Sequence, residues 1–177
     1  MIFRDILEKA IGIICDDEIQ VDTISPKLNK LIRCGNMIYL ELIEEYVRLK
    51  EEEEITFVDG KADFSSFSKL VKDVISVQKD GVNVSFSVYP NFVTTDSCSG
   101  KATVKYVYHG EELDVNDNVI LPPQFTPYVL ANGVASEYFY RSGLIDEAAF
   151  YKNRYDTSII NLTRKQKSIE LKVKRFL

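Results

Sequence analysis

Residues 127–177 read PYVLANGVASEYFYRSGLIDEAAFYKNRYDTSIINLTRKQKSIELKVKRFL, and the punctuation of this stretch sets the architecture. Thr126 is placed to cap a helix whose first residue is Pro127, where the missing N–H is no loss. Leu130, Val134 and Tyr138 form one stripe of that helix, with Ala131, Ala135 and Phe139 beside it. Ala131, Gly133, Ala135 and Ser136 are small enough to let another backbone approach. Gly143 is positioned to end the helix in a left-handed conformation. Asp146 and Glu147 then open a second helix, because acids suit its exposed N–H groups. Ala149, Lys152, Tyr155 and Ile159 continue it at helical spacing. On its own terms the pair is a helical hairpin packed on a core.

Working outward, the N-terminus repeats the helical period. Ile2, Ile6, Ala10 and Ile14, with Phe3, Leu7 and Ile11, make an amphipathic first helix that the acidic corner Asp16-Asp17-Glu18 ends in solvent. Ser25-Pro26 starts a second helix. Its stripe, Leu28, Leu31, Ile32, Gly35, Ile38, Leu42, Ile43, Tyr46 and Leu49, predicts a helix reaching about Lys50. Glu51 to Glu54 then read as a solvated, like-charged connector.

From Ile55 the period changes to two. Ile55 and Phe57 lead into an Asp59-Gly60 turn, and Phe64 to Phe67 form a short bend. Val71 to Val77 is a strand, and Asp80-Gly81 is a hairpin turn because both residues accept positive φ. Val82, Val84, Phe86 and Val88 alternate with polar residues as one strand, Phe92 to Thr95 resume pairing, and Ala102 to Tyr108 alternate again. Glu111 to Pro123 is a connector. Its Asp114, Asn116, Asp117 and Asn118 lack the Gly and terminal Glu of a calcium loop. Ile169, Leu171 and Val173 show strand periodicity, which invites pairing within the chain or with a neighbour.

The fold expected is therefore α+β: a bundle of about four helices, two N-terminal and two C-terminal, with a small antiparallel sheet of four to five strands inserted. We expect a single domain over 1–177, with 1–50 and 126–167 helical, 55–121 as the inserted β part and 168–177 as a basic tail. No apolar run approaches the ~20 residues of a membrane span, and MIFRDILEKAIGII carries acids and no cleavage site, so neither a membrane contact nor a signal peptide is expected. Cys15, Cys34 and Cys98 are few and odd in number, and fit free thiols better than a disulfide framework.

Chemistry is mostly missing. His109 has no Cys partner at zinc-ligand spacing, no Gly-x-Ser-x-Gly elbow accompanies it, and no glycine-rich phosphate loop is present. No enzymatic activity, cofactor or metal is expected. Charge is uneven. From Lys152 onward eight basic residues face two acidic ones, a surplus of six; since the whole chain carries −5, the remainder carries −11. Such asymmetry fits head-to-tail assembly, contact with nucleic acid, or solubility alone.

The pattern Leu130-Ala131-x-Gly133-Val134-Ala135-x-Glu137-Tyr138, then Ser142-Gly143-Leu144-x-Asp146-Glu147-Ala148, then Arg154-Tyr155, resembles the C-terminal helices of head–tail connector (adaptor, head-completion) proteins of tailed bacteriophages. The resemblance covers the last third of the chain and, loosely, its helix–β–helix order. It implies a structural virion protein: a homo-oligomeric ring of about twelve copies in the neck between capsid and tail, made in the host cytoplasm. It would touch a portal protein, a tail or second neck protein and, through the channel, DNA. Arg164, Lys165, Lys167, Lys172, Lys174 and Arg175 would then dock on the portal. The alternative is an α+β protein-interaction module of unknown ligand; an enzyme comes third.

Overall fold

The computed structural model describes residues 1–96 and 99–163. By its contacts the chain divides into two compact units, Met1–Gly35 with Val115–Leu177, and Asn36–Asp114. The architecture is α+β, with helices toward both ends of the sequence and antiparallel strands between them.

The first unit is helical. Helix α1 spans Phe3–Ile14 and buries Phe3, Ile6, Leu7 and Ala10, the stripe its spacing predicts. Asp5 accepts a hydrogen bond from the Ile2 N–H at 3.1 Å, which satisfies one of the orphan donors at the helix start. Cys15 caps the other end at φ 55°. The backbone just before α1 is tied down: Phe3 N–H donates to Asp117 O and Val119 N–H to Met1 O, both at 2.9 Å. Helix α2 spans Pro26–Glu45, and the boundary between the units falls within it, after Gly35. Ser25 Oγ accepts from Leu28 N–H, the cap expected of Ser-Pro. Helices α3 (Pro127–Arg141) and α4 (Ile145–Thr163) follow the connector, with Thr126 accepting from Val129 N–H and Gly143 at φ 79° between them. Over Leu130 to Ser136 every residue of α3 is buried, which makes it the central helix of this unit.

The second unit holds seven strands in two sheets: β1 (Lys50–Phe57), β2 (Lys61–Asp63), β3 (Val71–Lys79), β4 (Val82–Val84), β5 (Phe86–Val88), β6 (Phe92–Thr95) and β7 (Gly100–Tyr108). One sheet has the order β1-β7-β3-β4 and the other β2-β6-β5, all pairs antiparallel. The two share a core of Ile55, Phe57, Val77, Val104 and Tyr106 from the first sheet with Ala62 and Val93 from the second. Both predicted turns form, with Asp59-Gly60 and Asp80-Gly81 at positive φ.

Several expectations need correction. Helix α2 stops at Glu45 rather than Lys50, because Val47 N–H turns back to Leu42 O. Glu51 to Glu54 are strand, not connector. Glu53 shares the inward face with Ile55 and Phe57, and Glu52 and Glu54 meet Lys105 at 3.6 Å and Lys101 at 2.5 Å on β7. Each exposed pair adds little, but together they allow four acids on one strand, and a charged edge discourages unwanted pairing. The alternating run from Val82 to Val88 is not one strand: it breaks at Ser85, and Phe86 onward pairs with β6 in the second sheet. One inserted sheet therefore becomes two. In the acidic corner Asp17 and Glu18 are exposed, as expected, and Lys27 bridges Asp16 at 2.8 Å and Glu18 at 2.6 Å. On α4 it is Ala148, not Ala149, that faces inward with Tyr155 and Ile159.

Candidate interaction surface

The sequence concentrates its unusual residues on α3 and α4, and the two helices pack closely. Ser136 Oγ donates to Ala148 O at 2.9 Å, so a hydroxyl replaces a bulkier side chain and binds the neighbouring helix's backbone. Ala135, Phe139 and Ala148 form a small buried cluster with Ile13, Ile14 and Tyr151 around it, and the Phe139 and Tyr151 rings stack at 5.7 Å. Lys30 reaches over the corner, donating to Ser142 Oγ at 2.7 Å and lying 4.5 Å from the centre of the Tyr138 ring.

Packing leaves large apolar side chains outside. Tyr128, Tyr140, Leu144, Ile145, Phe150 and Ile160 are each at least 45% exposed, all on one helical pair and its corner. Scattered single exposures need no explanation; a concentration of aromatic and branched side chains does. Two open clefts run between these helices. The one near the corner holds about 320 Å³ and is lined by Ser136, Glu137, Tyr140, Ile145, Ala149 and Lys152. The other, toward the start of α3, holds about 420 Å³ and is lined by Tyr128, Asn132, Phe150, Asn153, Arg154 and Thr157. There the Arg154 guanidinium lies 5.8 Å from the ring centres of Tyr128 and Phe150 and 5.9 Å from that of Tyr151, and donates to Tyr128 Oη at 2.6 Å.

The residues singled out in the sequence for docking, Arg164, Lys165, Lys167, Lys172, Lys174 and Arg175, lie outside the described residues. So do Cys98 and the alternating Ile169, Leu171 and Val173. Gly133 and Ala135 are buried on α3, as their size suggested. His109 belongs to the second unit, where its Nδ1 is 2.8 Å from Glu44 Oε1 while Lys72 bonds the other Glu44 oxygen. Lys72, and then His109, hold the Glu44 carboxyl below its ordinary range against the opposing effect of burial. All three side chains are about a third exposed, so the cluster is an ion-paired surface network. Among the described residues no group of His, Cys, Asp and Glu could hold a metal ion, and no helix is long and apolar enough to cross a membrane. Sequence reading overlooked the polar cleft. Its signal was an Asn in the middle of an otherwise small and apolar run, four residues after Tyr128, with Phe150 and Arg154 at the same spacing on the next helix.

No family model matches the chain. It is similar to cytoadherence-linked asexual protein 3.1 of Plasmodium falciparum, at 27% identity over 135 residues, which cover 69% of this chain and 10% of that protein. Cytoadherence-linked asexual protein 3.2 of the same organism is similar over the same extent and at the same identity. The chain thus spans about a tenth of the length of the curated relatives it matches.

Proposed function

We propose that this chain is a protein-interaction module whose contact surface is the outer side of the α3–α4 pair. The observation that carries this reading is the concentration of Tyr128, Tyr140, Leu144, Ile145, Phe150 and Ile160 in exposed positions on two adjacent helices. Covering such residues in an interface releases water from apolar surface, and aromatic side chains are the usual anchors of such contacts. Two of the proteins it resembles are named for a link to cytoadherence, and the matched part is a tenth of each. A binding role within a larger assembly suits both facts.

The test is a pair of serine substitutions, Tyr140→Ser and Ile145→Ser, made in the protein in its own cells. Both side chains are more than half exposed, so folding should be unaffected. The expected result is a native complex that sediments more slowly, with an unchanged melting temperature for the purified chain. A complex of unchanged size would refute the assignment of this surface.

A ring-forming connector is the second reading. The helical pair that carries that resemblance is formed, with the Ser142-Gly143 corner in place. Sedimentation of the purified chain separates the two readings: a closed ring near a dozen copies favours the connector, and a small species favours the module.

A further inference from the structure

The cleft toward the start of α3 has a feature that packing alone does not account for. Asn132 is 3% exposed, and its Nδ2 donates to Tyr128 O at 2.7 Å. That bond fixes which way the amide points. Its Oδ1 then has no hydrogen-bond partner among the described residues. A buried amide oxygen left unsatisfied is unfavourable, and native proteins keep few of them. Asn132 is among the residues that line the cleft, and its oxygen is shielded from solvent there.

The rim carries the opposite chemistry. Arg154 uses one N–H on Tyr128 Oη and keeps the rest of its fork. Tyr128, having accepted that bond, retains its own proton to donate. Thr157 Oγ1 is bonded to Asn153 Oδ1 at 3.3 Å, which turns the Asn153 NH₂ group away as a further donor. The site therefore offers one buried acceptor and a donor-rich, cationic rim between two aromatic faces.

We infer that this cleft binds an extended acidic peptide segment of a partner protein, with an Asp or Glu carboxylate on Arg154 and Tyr128 and a neighbouring backbone N–H on Asn132 Oδ1. A guanidinium matches a carboxylate in geometry as well as charge. The N–H must be uncommitted, which excludes the interior of a helix or sheet and leaves extended or looped backbone. The apolar walls, Tyr128 and Phe150, are 51% and 58% exposed and would cover the flanking side chains. Phe150 is the more exposed wall, and a turn of its ring is the movement by which the donor would be admitted. This inference rests on the interaction reading and assigns one cleft of that surface its ligand chemistry.

The test is a titration of the full ¹⁵N-labelled chain with acetyl-Leu-Asp-Leu-amide, blocked at both ends so that the side chain supplies the only carboxylate. Saturable shifts are expected at Asn132, Asn153 and Arg154. Replacing the peptide's Asp by Asn should weaken binding about tenfold, as should Arg154→Ala in the protein. Asn132→Leu, close in volume, should weaken it about fivefold while leaving the rest of the spectrum in place. Should Asn132→Leu fail to fold, Arg154→Ala, at an exposed position, still decides the matter. No saturable shift up to about 10 mM peptide, an equal response to the Asn peptide, or undiminished binding by Arg154→Ala would each overturn the inference. Tyr140 and Ile145 are not among the residues lining this cleft. Failure here, with their serine variants still reducing the complex, removes the ligand assignment and leaves the interaction surface standing.

Discussion

At the scale of single residues, three side chains show what burial does and how it can be measured. The Cys34 thiol is buried, and that burial pushes its pKa up to about 11. Cys15 is exposed. Brief alkylation of the native chain, read by peptide mass spectrometry, should modify Cys15 and spare Cys34; equal labelling would contradict the packing around α2. Gly35 is a second case. A Cβ there would lie 2.6 Å from Phe3 Cζ, and Phe3 is fully buried. Alanine gains about 1 kcal/mol of helix propensity, while overpacking costs about 1–3 kcal/mol. Overpacking wins, so Gly35→Ala should destabilise by about 1 kcal/mol in urea unfolding, and a stabilised variant would show that the contact is loose. The third is Tyr106, whose hydroxyl donates to Glu53 at 2.7 Å. Burial raises the Glu53 pKa, but hydrogen bonds from Tyr106 and Ser68 outweigh it and leave the carboxyl below the ordinary value of 4.5. A depressed carboxyl contributes stability above pH 4.5 that is lost as pH falls through its folded value. Tyr106 runs the other way. Burial first, and then Glu53, raise it to about 12, so its contribution is full below pH 10 and lost between about 10 and 12. A tyrosine absorbance titration should show a late-ionising phase, and Tyr106→Phe should take one phenol out of it. The hydroxyl partners were invisible in the sequence, because Glu53 and Tyr106 are far apart along the chain and meet only through the register of β1 on β7.

At the scale of elements, the helices were legible and the sheets only partly so. Ser25-Pro26 and Thr126-Pro127 mark helix starts with local chemistry, and Gly143 marks a stop, so no distant partner is needed to read them. The Asp-Gly turns were legible for the same reason. Glu51 to Glu54 misled because the residues that make an acidic strand tolerable, Lys101 and Lys105, come from β7. The run from Val82 to Val88 misled because alternation does not reveal that a strand changes sheet at Ser85. On α3, small size was a reliable guide to close packing, since Gly133, Ala135 and Ser136 are all buried. Gly133→Leu should therefore cost about 1–3 kcal/mol or more, seen as a lower denaturation midpoint. An unchanged midpoint would mean that α3 has space beside it at that position.

At the scale of the whole molecule, the inserted β part was legible in the sequence, but the position of the first boundary between the units was not, because it falls inside one continuous apolar stripe, after Gly35. The candidate surface was legible only in outline. Helical spacing located α3 and α4, but which apolar residues remain outside depends on packing from α1 and from each other, and that distinguishes buried Ala148 from exposed Ala149. The central claim is that the outer side of α3–α4 meets another protein. A photo-crosslinking amino acid placed singly at Tyr140 and at Phe150, with Ile24 as a control that is 88% exposed on the same unit, tests this directly in living cells. The account expects strong adducts of one defined mass from Tyr140 and Phe150 and little from Ile24. Equal adduct yields at all three positions would contradict it.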